Sequence, residues 1–114
     1  ILEKFNSNKL FKNLLISCPN QDGGMYLSNN RGEFKKICNH LSTGFDIKKN
    51  YFIRSFQTEH SILYFNNLNS NKETHFTTSD PHDVKIIDNL IYQIETKTNS
   101  INIFDLNFIS FGKL

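Results

Sequence analysis

The chain has 114 residues, 38% of them hydrophobic and 21% charged, with a formal net charge of +2. That length suits a single domain, and the charge balance excludes a highly charged disordered tail. No apolar run approaches the roughly 18 residues that a membrane-spanning helix needs, so membrane insertion is not expected.

The chain opens on Ile1 with no basic-then-apolar leader, which reads as a domain excised from a longer protein, without its own signal peptide. Residues 2–16 place Leu2, Phe5, Lys9, Phe11, Leu14 and Leu15 near one face at helical spacing, which predicts an amphipathic helix. Cys18 to Gly24 is rich in turn formers and predicts a loop. In residues 31–41, Phe34, Ile37, Cys38 and Leu41 recur at three-and-four spacing after Asn29-Asn30, predicting a second helix with an Asn cap that closes before Gly44.

Beyond Gly44 the apolar period changes to two, and strands are predicted at 51–57, 60–66, 72–78, 84–87, 90–96 and 100–111. The absence of Ala and the many β-branched and aromatic residues favour strands here. Their connections are short, which forces antiparallel neighbours. The expected fold is therefore α+β: two N-terminal helices packed on an antiparallel meander of about four to six strands. One domain spans 1–114, helical over about 1–44 and β over about 50–111, and no internal repeat is apparent. Ile62-Leu63-Tyr64-Phe65 and Leu90-Ile91-Tyr92 put apolar groups on both faces of the sheet, and an apolar face left open would be an interaction site.

Composition narrows the chemistry. Two Arg and paired rather than clustered Lys argue against sequence-specific DNA binding. Cys18 and Cys38 form no zinc motif with the four His, so no metal is expected; two free, partly buried thiols are the default and one disulfide between them is the lesser alternative. No nucleotide-binding glycine loop or hydrolase motif occurs, so no cofactor is expected. What remains is a set of polar residues in the sheet: His60, His75, Lys85 and Tyr92, with Arg54, Thr77 and Thr78. Two imidazoles could serve as base and acid in metal-free RNA cleavage through attack of the 2′-hydroxyl, giving a cyclic phosphate. Lys85 or Arg54 could neutralise the phosphate, while Thr77, Thr78 or Tyr92 could donate hydrogen bonds. A loop setting Asn66 opposite Lys72 would place Leu63 opposite His75 and the two histidines on opposite faces, whereas a shift of one residue would bring them to one face. An Asp88-Asn89 turn would set Lys85 across from Tyr92.

Helices followed by a meander with two histidines fifteen residues apart resemble the small RNase domains of bacterial polymorphic toxins, including the EndoU-like branch of contact-dependent inhibition toxins. The resemblance implies His60, His75, Lys85, Thr77 or Thr78, and Tyr92 as the catalytic set. It also implies a structured RNA such as tRNA as substrate, a cognate immunity protein as partner, and carriage within a larger secreted protein acting in a target-cell cytoplasm. The competing expectation is a non-enzymatic protein-interaction module, immunity-type or viral host-binding, that docks through an apolar sheet face.

Overall fold

The computed structural model describes residues 13–57, 62–70 and 72–114. Among them there is no helix: eleven strands form three antiparallel sheets, and the chain divides between Leu41 and Ser42 into two compact units. The architecture is all-β, which corrects the α+β expectation.

In the first unit, β1 (Leu15–Cys18), β2 (Gly24–Ser28) and β3 (Phe34–Cys38) form a meander. The helix expected over 31–41 is β3 and its flanks. Asn29, expected to cap that helix, instead closes a turn. Its Oδ1 accepts the N–H of Arg31 at 2.8 Å and of Glu33 at 3.0 Å, and Gly32 takes a φ of 79°. The same side chain suits either role, since Asn caps helices and builds such turns by one kind of bond. Of the helix expected over 2–16, residues 2–12 lie outside the described residues, while Leu15 and Ile16 belong to β1. Cys18 and Cys38 form no disulfide and stand on β1 and β3, the two strands flanking β2. Two strand spacings separate those strands by about 9.5 Å, too far for a disulfide.

The second unit contains two four-stranded sheets in chain order. The first comprises β4 (Phe45–Lys48), β5 (Tyr51–Phe56), β6 (Ile62–Asn67) and β7 (Lys72–Thr77). The second comprises β8 (Pro81–Ile87), β9 (Leu90–Glu95), β10 (Ser100–Asp105) and β11 (Ser110–Lys113). Alternation along the strands gives each sheet a packed and an outward face. Ile53, Leu63 and Phe65 of the first sheet meet Val84, Ile86, Ile91 and Phe104 of the second in one core. Phe76 on β7 bridges the layers, its ring 4.8 Å from that of Phe104 and 5.7 Å from that of Phe108.

The sheets approach most closely at their first strands, where the Cα traces of β4 and β5 run beside β8. The Asp46 carboxylate accepts the Ile86 N–H at 2.8 Å, and Thr43 Oγ1 donates to the Pro81 carbonyl at 3.0 Å. A Cβ at Gly44 would stand 2.7 Å from Asp83 Cα, so only glycine permits this approach.

Candidate binding face

The β8–β9 hairpin turns at Asp88-Asn89, both with positive φ (48° and 64°), as a tight hairpin turn requires. This sets Lys85 opposite Tyr92, Ile87 opposite Leu90 and Asp83 opposite Ile94. In β10, Ile101 stands opposite Ile94 and Ile103 opposite Tyr92. Val84, Ile86, Ile91, Gln93 and Phe104 point into the core. The alternate residues Ile87, Leu90, Tyr92, Ile94, Ile101 and Ile103 therefore form the apolar part of the outward face, with Asp83, Lys85 and Asp105 across from its margins. Ile87, at the turn end of the edge strand β8, is 49% exposed, and Ile94, on the central strand β9, is 42% exposed, a large fraction for an aliphatic group inside a sheet. Leu114, which exchanges backbone hydrogen bonds with Ile101, extends this surface. Ile94, Ile101 and Leu114 line a shallow depression of about 340 Å³ at its end. Lys85 sits exposed at the rim.

The outward face of β4–β7 differs in character. Register aligns Phe45, Arg54, Tyr64 and His75 in one row across the four strands. Phe52 packs edge-on to Phe45 and to Tyr64, and the Arg54 guanidinium lies 4.5 Å over the Phe56 ring. The Tyr64 hydroxyl donates to Glu73 at 3.2 Å and accepts from the Asn66 amide at 3.0 Å. Burial raises the Tyr64 phenol above its ordinary value and the Glu73 carboxylate adds to the rise, against the opposing pull of the Asn66 bond. His75 is exposed; its ring lies edge-on to Tyr64 at 5.2 Å, and its Nε2 is 3.9 Å from the Glu73 carboxylate. An ion pair so exposed contributes little.

The residues singled out from the sequence thus fall into separate places. His60 lies outside the described residues. His75 and Thr77 share the outward face of β4–β7 with the buried Arg54, and Thr78 is buried just past the end of β7. The β6–β7 register is one residue from that expected: Asn67 faces Lys72 and Tyr64 faces His75. Lys85 and Tyr92 do pair, but on the outward face of the other sheet. The two packed faces lie between them and His75, so these groups do not converge on one substrate. The aliphatic residues Ile94, Ile101 and Ile103 escaped the sequence reading as a face. The signal was present in the alternation of 90–94 and 101–103, but it was obscured by equally apolar neighbours that point inward.

Among the described residues, no group of three or more His, Cys, Asp or Glu side chains is placed to hold a metal ion. Neither family models, curated proteins nor solved structures match the chain.

Proposed function

We propose that this chain is a non-enzymatic protein-interaction module that docks through the outward face of β8–β11. One observation carries the reading: Leu90, Tyr92, Ile94, Ile101 and Ile103 occupy the centre of a sheet face with no charged residue between them, and Ile94 is 42% exposed. A contiguous apolar patch rimmed by polar groups such as Lys85 marks an interaction surface rather than ordinary surface scatter. The alternative of metal-free RNA cleavage draws less support, because His75 and the Lys85–Tyr92 pair face away from each other.

Two measurements test the proposal. Binding of an apolar naphthalene-sulfonate dye to the native chain is expected to fall several-fold in Ile94→Lys, with the circular dichroism spectrum and a cooperative urea transition retained. Purified wild type is expected to leave total RNA intact in the presence of a chelator. Dye binding indifferent to Ile94→Lys would remove the docking face. RNA cleavage lost about a hundredfold in His75→Ala would replace the proposal with the enzymatic one.

A further inference from the structure

We infer that the outward face of β8–β11 is a seat for another four-stranded sheet, that β4–β7 and β8–β11 are consecutive members of a radially repeating, propeller-type array, and that a second copy of this chain fills the seat. The inference rests on the docking reading above and names its occupant.

The hand of the packing supplies the first argument. In a strand of L-residues, side-chain direction is tied to the side on which that residue turns its N–H and C=O. Hydrogen-bond partners therefore reveal which face of a meander is presented. Ser55, on the packed face of β5, donates to Gly44 and accepts from Thr43, bonding back toward the first strand of its sheet. Ile101, on the outward face of β10, exchanges both bonds with Leu114 on the β11 side. Alternation then turns the packed-face residues Asn102 and Phe104 toward β9, and their partners Gln93 and Ile91 forward toward β10. On the packed face, the second strand bonds backward in one sheet and forward in the other. The sheets thus meet front to back. A twofold relation would join like faces, whereas front-to-back contact is generated by repeating one rotation. It leaves one front face unused, on β8–β11.

The content of that unused face supplies the second argument. Both sheets open with a hairpin closed by a two-residue turn, Lys48 opposite Tyr51 in one and Ile87 opposite Leu90 in the other. Superposing the turns sets Tyr51 on Leu90, Ile53 on Tyr92 and Ser55 on Ile94. Cross-strand register then carries Leu63 to Ile101 and Phe65 to Ile103. The five positions that bury the first sheet against its neighbour are all apolar or aromatic in the second, where they face outward.

The third argument is the wedge. Neighbouring sheets draw together at β4 and β8, sealed by Gly44 and the Asp46–Ile86 bond, while the ring of Phe76 fills the space between β7 and β10. First strands converging on a common side is how the four-stranded blades of a propeller surround its axis.

A second copy is the occupant because the front-to-back contact that leaves this front face over also leaves the matching back face of β4–β7, with Phe45, Phe52 and Tyr64, turned outward on the same chain, so that one copy's back fits another's front. Four strands at about 4.8 Å and six residues at about 3.4 Å give a footprint of about 400 Å² on each side. That is about 800 Å² in all, below the roughly 1,000 Å² of a stable interface and in the range of weak, transient ones, so association no tighter than micromolar is expected.

Sedimentation equilibrium of the whole 114-residue chain tests this. As concentration rises from about 1 µM to about 300 µM, the weight-average mass is expected to climb from 13.3 kDa toward at least twice that value. Ile94→Lys and Ile103→Lys should each move the climb to at least about tenfold higher concentration. Leu68→Lys, an exposed loop position, should leave it unchanged. Urea midpoints verify that each variant folds. A wild type that stays monomeric throughout overturns the inference. If that monomer still binds the apolar dye in an Ile94-dependent manner, the docking face stands and the occupant is wrong; if it does not, both readings fall.

Discussion

Ile53 and Ile94 are the same side chain on the front faces of two sheets of the same build, and they offer a matched comparison. Ile53 is fully buried between the sheets, whereas Ile94 is 42% exposed. Truncating either to Ala removes three carbon groups, about 0.8 kcal/mol each when fully buried, or about 2.4 kcal/mol of transfer free energy. At Ile53 the packed layers can close only partly over the gap, and the cavity raises the loss to about 3–4 kcal/mol. At Ile94 the group is partly solvated and no cavity forms, so the loss should be about 1.4 kcal/mol or less. Urea unfolding at about 1 µM, where association is minimal, reads both. With a slope of about 1–2 kcal/mol per molar, Ile53→Ala should lower the midpoint by about 1.5–4 M and Ile94→Ala by less than half as much. Equal losses would mean that the face of β8–β11 is already buried in the monomer, and the argument for a vacant seat would fail.

Three further outcomes follow from the packing. The Ser55 hydroxyl is fully buried on the packed face with no hydrogen-bond partner among the described residues, so Ser55→Ala should raise the urea midpoint, by about 1 kcal/mol in stability; a loss would show that the hydroxyl has a partner. Gly44→Ala should cost about 1–3 kcal/mol, because its Cβ would press on Asp83, and a neutral result would show that β4 and β8 can separate without penalty. For Glu95, burial works to raise the carboxyl, but the Ser79 N–H and bonds from Asn102, Thr98 and Lys113 outweigh it and hold the group below its ordinary 4.5. The unfolded chain then takes up this proton first as pH falls, so the contribution is complete above 4.5 and is lost as pH drops through the lowered folded value. Wild type should therefore lose stability with acid more steeply than Glu95→Gln, and parallel pH profiles would contradict the assignment.

How much of this was legible depended on whether local chemistry or tertiary partners decided an element. The Asp88-Asn89 turn fixed its own hairpin, and Lys85 pairs with Tyr92 as the turn requires. The β6–β7 loop carries no such signature, and its register slipped by one residue, which changes the face His75 occupies relative to β6. The strand expected over 100–111 is broken because the Asp105 carboxylate accepts the N–H groups of Asn107 and Ile109, and Phe108 turns to a φ of 60°. Pro81 marked a loop by composition yet opens β8, a first-strand position where its missing N–H is tolerated. The four apolar residues of 31–41 fitted a helical period by coincidence, since a five-residue strand that itself bulges at Ile37 leaves too few positions to distinguish the two. The repeat of the two sheets was hidden for a related reason. Ile53 corresponds to Tyr92 and Ser55 to Ile94, so the faces correspond in register but share few residue identities.

The central claim concerns one surface, and methyl NMR on dilution probes it residue by residue. The account predicts that the methyl resonances of Ile94, Ile101 and Ile103 shift together as concentration falls, while those of the buried Ile53 and Ile91 stay fixed. Outward-face resonances that do not move between dilute and concentrated samples would contradict it.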